Sequence, residues 1–343
     1  MKLTDPILGH PDLELGYLAF DSLGVKGACV RVTTPDLTIV VDPGASLEGD
    51  NFPLPAAEQS RLLGERLDAC RRAAAGAQAL VISHYHLDHF IDNRDPELYG
   101  GKILLIKDPD DLPPKQAARA DTFLRTIDGL PKEVITCDGR SFSFGRTTIS
   151  FSKPVPHGAT GPGTDGGRMP APGTVVMTTV RSGRESITLS SDVCGPAEEA
   201  TAELICAGKP RTVVLDGYPT HVLGQYETDL DLVRSVINAC RILHVRSVRT
   251  LVLDHHHCRD YRYPAFYRLV YERAARLKKR FGTVAELAGG TSAVLRGYQD
   301  YGPTRWRKWQ PLDLEQARRV IDRAVAERKA DPAILKDLDR WVV

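Results

Sequence analysis

Short apolar runs bounded by turn-forming residues recur along the chain: GACVRV and LTIVV near the start, then ALVIS, KILLIK, EVITC, TTISFS, TVVMTTV, SITLSS, RTVVLDG and RTLVLD. Runs this short, rich in Val and Ile and flanked by Gly, Pro, Asp or Asn, predict buried strands. GACVRV and LTIVV are separated by TTPD, which predicts a hairpin whose second strand ends in Asp42-Pro43-Gly44. After a Pro-rich loop the period changes. AAEQSRLLGERLDACRRAA carries Leu62, Leu63, Leu67 and Cys70 near i, i+4 spacing and predicts a helix. Further helices are predicted around 114–127, 197–207, 226–243 and 264–280. From about 311 the tail reads as one or two amphipathic helices broken before Pro332.

Hairpin patterns such as FGRTTISFS and VMTTVRSGRESITLS sit among strand–helix units, so the expected class is an α/β sandwich with partly antiparallel, mixed sheets. No internal repeat and no linker marks a boundary. The expected organisation is one domain over 1–300, with 301–343 a helical extension packed on it. The stretch 157–174 is too rich in Gly and Pro for regular structure.

Composition narrows the class. The chain has 343 residues, 45 basic and 44 acidic side chains, a formal net charge of +1 and 42% hydrophobic residues. That excludes disordered and collagen-like chains and gives no global reason to expect a nucleic-acid or anionic-membrane partner. No run approaches the ~18–20 apolar residues of a membrane span, and the N-terminus lacks a signal-peptide pattern. Seven scattered cysteines without a CxxC suit reduced thiols, so the expected location is cytoplasmic. RWRKWQ, 305–310, mixes basic and aromatic residues, but without a wider basic stripe it reads as a solvated, partly packed tail segment. GPGTDGG, 161–167, has no following Lys-Ser/Thr and is not a phosphate-binding loop. Its place after His157 makes 158–173 a candidate flap.

The histidines break this even picture. Of ten, His84, His86 and His89 fall in SHYHLDH, and His255, His256 and His257 stand together. On extended backbone His84 and His86 point the same way and can reach one metal from one side. The chain then turns, and Asp88-His89 can open the next helix and aim at a second metal. Imidazole with carboxylate suits Zn, Fe or Mn rather than Ca or Mg. Elsewhere the residues alone leave alternatives open: Asp192 can be a helix N-cap, and Asp42 a turn residue.

SHYHLDH resembles the HxHxDH signature of the metallo-β-lactamase-fold metallohydrolases, and VVDPG, PVPHG, LSSDV and LVLDHHH follow that superfamily's further motifs in order. A narrower resemblance, over about residues 17–290, is to an uncharacterised branch best known from archaea, carried by AFDSLG, SHYHLDH, FSKPVPHG, SSDVCGP, DGYPTH and DHHHCRD. The resemblance implies a four-layer αβ/βα sandwich and two divalent metal ions, Zn first, with Fe or Mn as alternatives. It implies His84, His86 and His157 on one metal, Asp88, His89 and a C-terminal histidine on the other, and Asp192 between them. His255 is the first choice for that last ligand, because ligands in this fold commonly sit just past the strand end. His256 is the second, and His257 is expected to line the pocket or be solvated.

The implied function is a dinuclear hydrolase acting on a small-molecule ester, lactone, amide or phosphodiester, with a metal-bridging hydroxide as nucleophile and Asp88 and Asp192 in the catalytic set. The rivals are an iron redox enzyme, a nuclease, and a metal-binding scaffold without turnover. Asp42 is expected to steady a ligand histidine or its loop. Asp216 and His221, near strand ends, are candidates for positioning substrate or donating a proton to the leaving group. No cysteine falls at a ligand position, though Cys258 is adjacent to the site. The C-terminal helices either cover the edge of the core or build a homodimer contact.

Overall fold

The computed structural model describes residues 7–343 apart from 11, 92–94, 111, 159–172, 226 and 303–309. The apolar runs become strands, and among the described residues these form two seven-stranded sheets and one two-stranded ribbon. In the first sheet, β1 (Ile7–His10), β2 (Leu13–Phe20), β3 (Ala28–Thr33), β4 (Thr38–Val41), β5 (Ala79–Ile82), β6 (Ile103–Ile106) and β7 (Glu133–Thr136) lie side by side in chain order. Pairing is antiparallel from β1 to β4 and parallel from β4 to β7.

The chain then makes the hairpin β8 (Ser141–Phe144) and β9 (Thr147–Phe151) and the ribbon β10 (Val155–Pro156) with β11 (Thr174–Val175). After these come β12 (Thr178–Ser182), β13 (Glu185–Leu189), β14 (Thr212–Asp216), β15 (Thr250–Asp254) and β16 (Arg280–Gly282). The second sheet runs β16-β15-β14-β13-β12-β9-β8, parallel from β13 to β16 and antiparallel in the rest. Each sheet is therefore half parallel and half antiparallel.

Side-chain alternation explains the unbroken apolar strands. Val81, Val214 and Val252 face the core between the sheets with Val30, Ile39, Ile149 and Val180. Their neighbours face the other way. Leu80 and Ile82 pack under α1 (Ala56–Ala75) and α2 (Pro114–Thr126) through Leu62, Leu67 and Phe123. Val213, Leu215, Leu251 and Leu253 pack under α3 (Glu199–Gly208), α4 (Asp229–His244), α5 (Tyr263–Phe266) and α6 (Arg268–Arg276). A strand covered on both faces has no polar side to show. The result is the expected four-layer αβ/βα sandwich.

The chain closes with α7 (Val284–Leu287), α8 (Ala293–Tyr301), α9 (Leu314–Ala326) and α10 (Ala333–Trp341). Ala317, Val320, Ile321 and Leu338 of the last two helices share one buried cluster with Val236, Ala239 and Leu243 of α4.

Some elements differ from the sequence expectation. The helix predicted over 264–280 is two short helices followed by β16, because the chain must return to the sheet edge beside β15. TVVMTTV divides between β11 and β12, and LELGYLAF forms β2, which the run-based reading passed over. Residues 305–309 of RWRKWQ lie outside the described residues. Among the described residues no helix is long and apolar enough to cross a membrane.

Ile321 on α9 is fully buried. Ile321→Ala is expected to cost roughly 2–5 kcal/mol of unfolding free energy, and Leu204→Ala, at an exposed position, less than about 0.5 kcal/mol. Denaturant titration of both variants checks this; equal small losses would show that α9 adds no stability.

Candidate metal centre

The parallel halves of the two sheets present their carboxyl ends along one edge, the usual place for a site in α/β architecture. Asp42 follows β4, Ser83 and His84 follow β5, and Asp192 lies shortly after β13. Asp216 and Asp254 close β14 and β15, and His255 comes next. Asp42, Ser191, Cys194 and His255 all have positive φ, uncommon for residues with a Cβ, so the chain is bent sharply at these strand ends. Two glycines permit the close approaches behind them. A Cβ on Gly44 would fall 2.3 Å from the Phe90 nitrogen, and one on Gly217 would fall 2.1 Å from His257 Nδ1.

Asp192 is buried at the centre. Its Oδ2 lies 3.3 Å from His84 Nε2, 3.4 Å from His157 Nε2 and 4.0 Å from His86 Nδ1. Its Oδ1 lies 3.1 Å from His89 Nε2 and 3.4 Å from His255 Nε2, which is itself 3.9 Å from Asp88 Oδ2. His84, His86, His157 and Asp192 offer ligand atoms close enough to hold one ion, and Asp88, His89 and His255 do the same beside them. One carboxylate thus faces both groups, one oxygen to each.

The far sides of the rings show which nitrogen is free. Ser83 Oγ donates to Asp42 Oδ2 (2.6 Å), so its oxygen is left to accept from His84 Nδ1 (3.1 Å). His89 Nδ1 donates to Asp42 Oδ2 (3.0 Å) and His255 Nδ1 to Asp21 Oδ2 (2.5 Å). Each contact fixes the proton on Nδ1 and turns the Nε2 lone pair inward, the arrangement metal-binding histidines require. The fit to a metal is tested by what remains. His84 Nε2, His89 Nε2, His255 Nε2 and Asp192 Oδ1 are buried and make no hydrogen bond. Inward-facing nitrogens around a carboxylate oxygen are costly without a cation to share. The residues present fit divalent ions with a nitrogen and oxygen preference.

Electrostatics agree. Burial alone would raise the Asp192 carboxyl, but the imidazoles of His89, His255 and His84 outweigh it and hold it well below the usual range. Burial depresses His84, whereas Asp192 and Asp42 overcome burial to raise His89. Burial, with Asp192 adding to it, pushes the Asp216 carboxyl up to about 7.

Several expectations change in detail. Strand alternation carried past Asp254 would put His255 and His257 on one face, but β15 stops at Asp254 and His255 takes φ 71°, so the alternation does not continue. His255 stands with Asp88 and His89. His256 sits beside Asp192 and His255, with Nδ1 donating to Asp216 Oδ1 at 2.9 Å. His257 neither lines the site nor meets solvent; it is buried against the rings of Tyr263 and Tyr267. Asp88-His89 lie in a turn and open no helix. Cys258, adjacent to the site in sequence, is fully buried, and burial raises its thiol above the usual range, which leaves it an inert neighbour.

Cys194, set aside in the sequence, lies at the site: Sγ is 3.9 Å from His157 Nδ1 and groups with Asp216 and His256. Asp216 accepts from Cys194 N (2.8 Å) and from His256, so its oxygens are committed to protein groups. His221 is in a short 3₁₀ turn, 220–222, beside a neighbouring cavity. Residues 159–172 of the expected flap lie outside the described residues.

Asp21 and Arg259 received no role from the sequence. Arg259 Nε donates to Asp21 Oδ1 (2.5 Å), and its Nη2 is 3.7 Å from Asp88 Oδ2. Asp254 accepts from the backbone nitrogens of Ser22 (3.0 Å), His255 (2.7 Å) and Val284 (2.8 Å), tying three segments to the end of β15. The quoted motifs AFDSLG and DHHHCRD contain Asp21, Asp254 and Arg259, and that recurrence was the available signal.

The metallo-beta-lactamase superfamily pattern matches residues 24–168. The chain is 33% identical over 296 residues to the UPF0282 protein of Methanopyrus kandleri, covering 82% of this chain and 96% of that one. It is 34% identical over 286 residues to a UPF0282 protein of Metallosphaera sedula, covering 81% and 88%. Among solved structures, the metallo-beta-lactamase fold protein YhfI from Bacillus subtilis is similar with a TM-score of 0.47 at 15% identity, over 82% of this chain and 96% of that one.

Asp42→Asn and Asp21→Asn each remove a carboxylate that fixes a ring proton. Each is expected to weaken metal binding by roughly 10–100-fold, read by competition with a chromophoric chelator while the circular dichroism is unchanged. Wild-type affinity in both would show that these carboxylates do not act through the histidines.

Proposed function

Because the chain belongs to the UPF0282 family within the metallo-β-lactamase superfamily, we propose that it is a dinuclear metal-dependent hydrolase of a small-molecule ester, lactone, amide or phosphodiester. The observation that carries this reading is the division of Asp192 between two ligand groups, Oδ2 towards His84, His86 and His157, Oδ1 towards His89 and His255. In this reading those residues, with Asp88, hold two ions, and the partner is a small molecule. When bound, a pair of divalent ions such as Zn supplies Lewis acidity and lowers the pKa of water towards ~7.

The reaction adds water across the scissile bond. The bond to the leaving oxygen or nitrogen breaks, the bond to the water oxygen forms, and a proton from the water ends on the leaving atom. The chain's own part is placement. His86 and Asp88, with side chains 28% and 15% exposed, are the open members of their groups and mark the side from which substrate arrives. His84, His89, His255 and Asp192 are closed off behind them. Asp216 serves by holding His256 Nδ1, which leaves His256 Nε2 as the group able to carry a proton at the edge of the site.

Elemental analysis of protein purified without added metal tests the reading. About two equivalents of zinc or manganese are expected, with both reduced in Asp192→Ala and a single equivalent reduced in His86→Ala. A panel of lactones, thioesters and phosphodiesters should then contain a substrate whose turnover falls by roughly 10³-fold or more in Asp192→Ala. Two equivalents of iron would favour redox chemistry instead. Failure to take up any metal on reconstitution would overturn the catalytic reading.

A further inference from the structure

Next to the centre is a second cavity of about 270 Å³, lined among others by Lys26, Glu48, Phe52, His221, Arg259 and Tyr261. Arg259 is the wall the two share: it reaches Asp21 and Asp88 on one side and lies 3.7 Å from Glu48 Oε2 on the other. The volume suits part of a small molecule and excludes a folded macromolecule.

Its charges are matched except in one respect. Arg259 is paired with Asp21, and Arg262 with Asp260 at 2.7 Å. Among the described residues the Lys26 ammonium makes no ion pair, while its backbone is fixed by hydrogen bonds with Ser46 at 2.9 and 3.0 Å. Glu48 is 1% exposed at its side chain, yet neither carboxyl oxygen makes a hydrogen bond. Burial, with Asp21 adding to it, holds that carboxyl well above the usual range, while Arg259 and Lys26 act against the shift. His221 Nδ1 is also buried without a partner. Burial keeps the ring neutral, and Arg259 and His256 act in the same direction.

The half-buried Lys26 ammonium and the buried His221 Nδ1 thus face one space with no partner of their own, and a buried polar atom left without a hydrogen bond is costly. A cationic ligand would meet Lys26 and Arg259 with the wrong sign. Tyr261, stacked on Tyr298 with ring centroids 4.2 Å apart, adds a flat wall.

We propose that this cavity is the specificity pocket of the centre, where Lys26 and His221 receive an anionic group, a carboxylate or a phosphate, of a small substrate whose scissile bond lies at Asp192. The catalytic half of this inference rests on the hydrolase reading; the binding half does not.

The test uses metal-loaded protein and two probes. One is the ratio of kcat/KM for the mono-4-nitrophenyl ester of succinic acid over neutral 4-nitrophenyl butyrate. The other is calorimetric binding of succinate and of inorganic phosphate. The wild type should prefer the anionic ester through KM by roughly tenfold or more. Lys26→Gln should remove that preference and Lys26→Arg restore part of it, with metal content unchanged. If Lys26→Gln fails to fold, His221→Gln takes its place.

If neither ester is hydrolysed, ester hydrolysis falls and calorimetry decides the pocket alone. Binding of either anion that weakens roughly tenfold in Lys26→Gln supports it, and the tighter anion identifies the source. Preference or binding that ignores both substitutions overturns the proposal.

Discussion

A single buried carboxylate facing imidazole nitrogens on both of its oxygens is the constraint from which the rest of the site follows. Asp192 cannot remain ionised in a low-dielectric interior unless positive charge surrounds it. Protonated histidines can supply that charge, but each ring that keeps its proton on Nε2 loses the lone pair a metal needs. Asp21, Asp42 and the Ser83–Asp42 pair resolve the conflict by fixing the proton on Nδ1 of His255, His89 and His84. They also bring further buried negative charge, and Arg259 balances only part of it. Divalent cations, bound as the proposed function has them, would balance the rest.

Backbone geometry serves the same end. Parallel strands deliver Asp42, His84, Asp192, Asp216 and His255 to one edge, but a strand end alone does not aim a side chain. The left-handed residues at Asp42, Ser191 and His255 turn the chain there, and Asp254 anchors the turn by accepting from Ser22, His255 and Val284. Gly44 lets the loop after β4 lie directly against the backbone of residues 88–90, which keeps Asp42 within reach of His89.

Much of this was legible in the sequence, for local reasons. SHYHLDH announces itself because its ligands fall within one strand end and turn, so spacing alone carries geometry. The sandwich was legible because strands buried on both faces must be apolar throughout. Asp192 and His157 needed the order of several motifs, since each alone also reads as an ordinary cap or surface residue. The choice between His255 and His256 was beyond alternation, because the left-handed turn at His255 ends the strand period. Asp21 and His255 are 234 positions apart, and no local pattern marks such a pair. Lys26 and Glu48 look like solvated surface in sequence, and only the three-dimensional chain encloses them. The 264–280 segment shows the converse: helical periodicity there yields to the sheet's need for an edge strand, β16.

The way the ligands divide between the two sheets governs when an ion can be captured. His84, His86, Asp88 and His89 emerge with the first sheet, but His157 comes later, after β10 of the ribbon, and Asp192 and His255 follow β13 and β15 of the second sheet. A growing polypeptide that has completed only its first sheet holds an incomplete set on each side, and Asp192, the group common to both, has yet to be translated. Retention of metal at the proposed centre would therefore wait until the two sheets have closed on each other. Loading of the proposed centre would then be a late event in the life of the molecule, coupled to the docking of its sheets rather than to the appearance of the histidine motif.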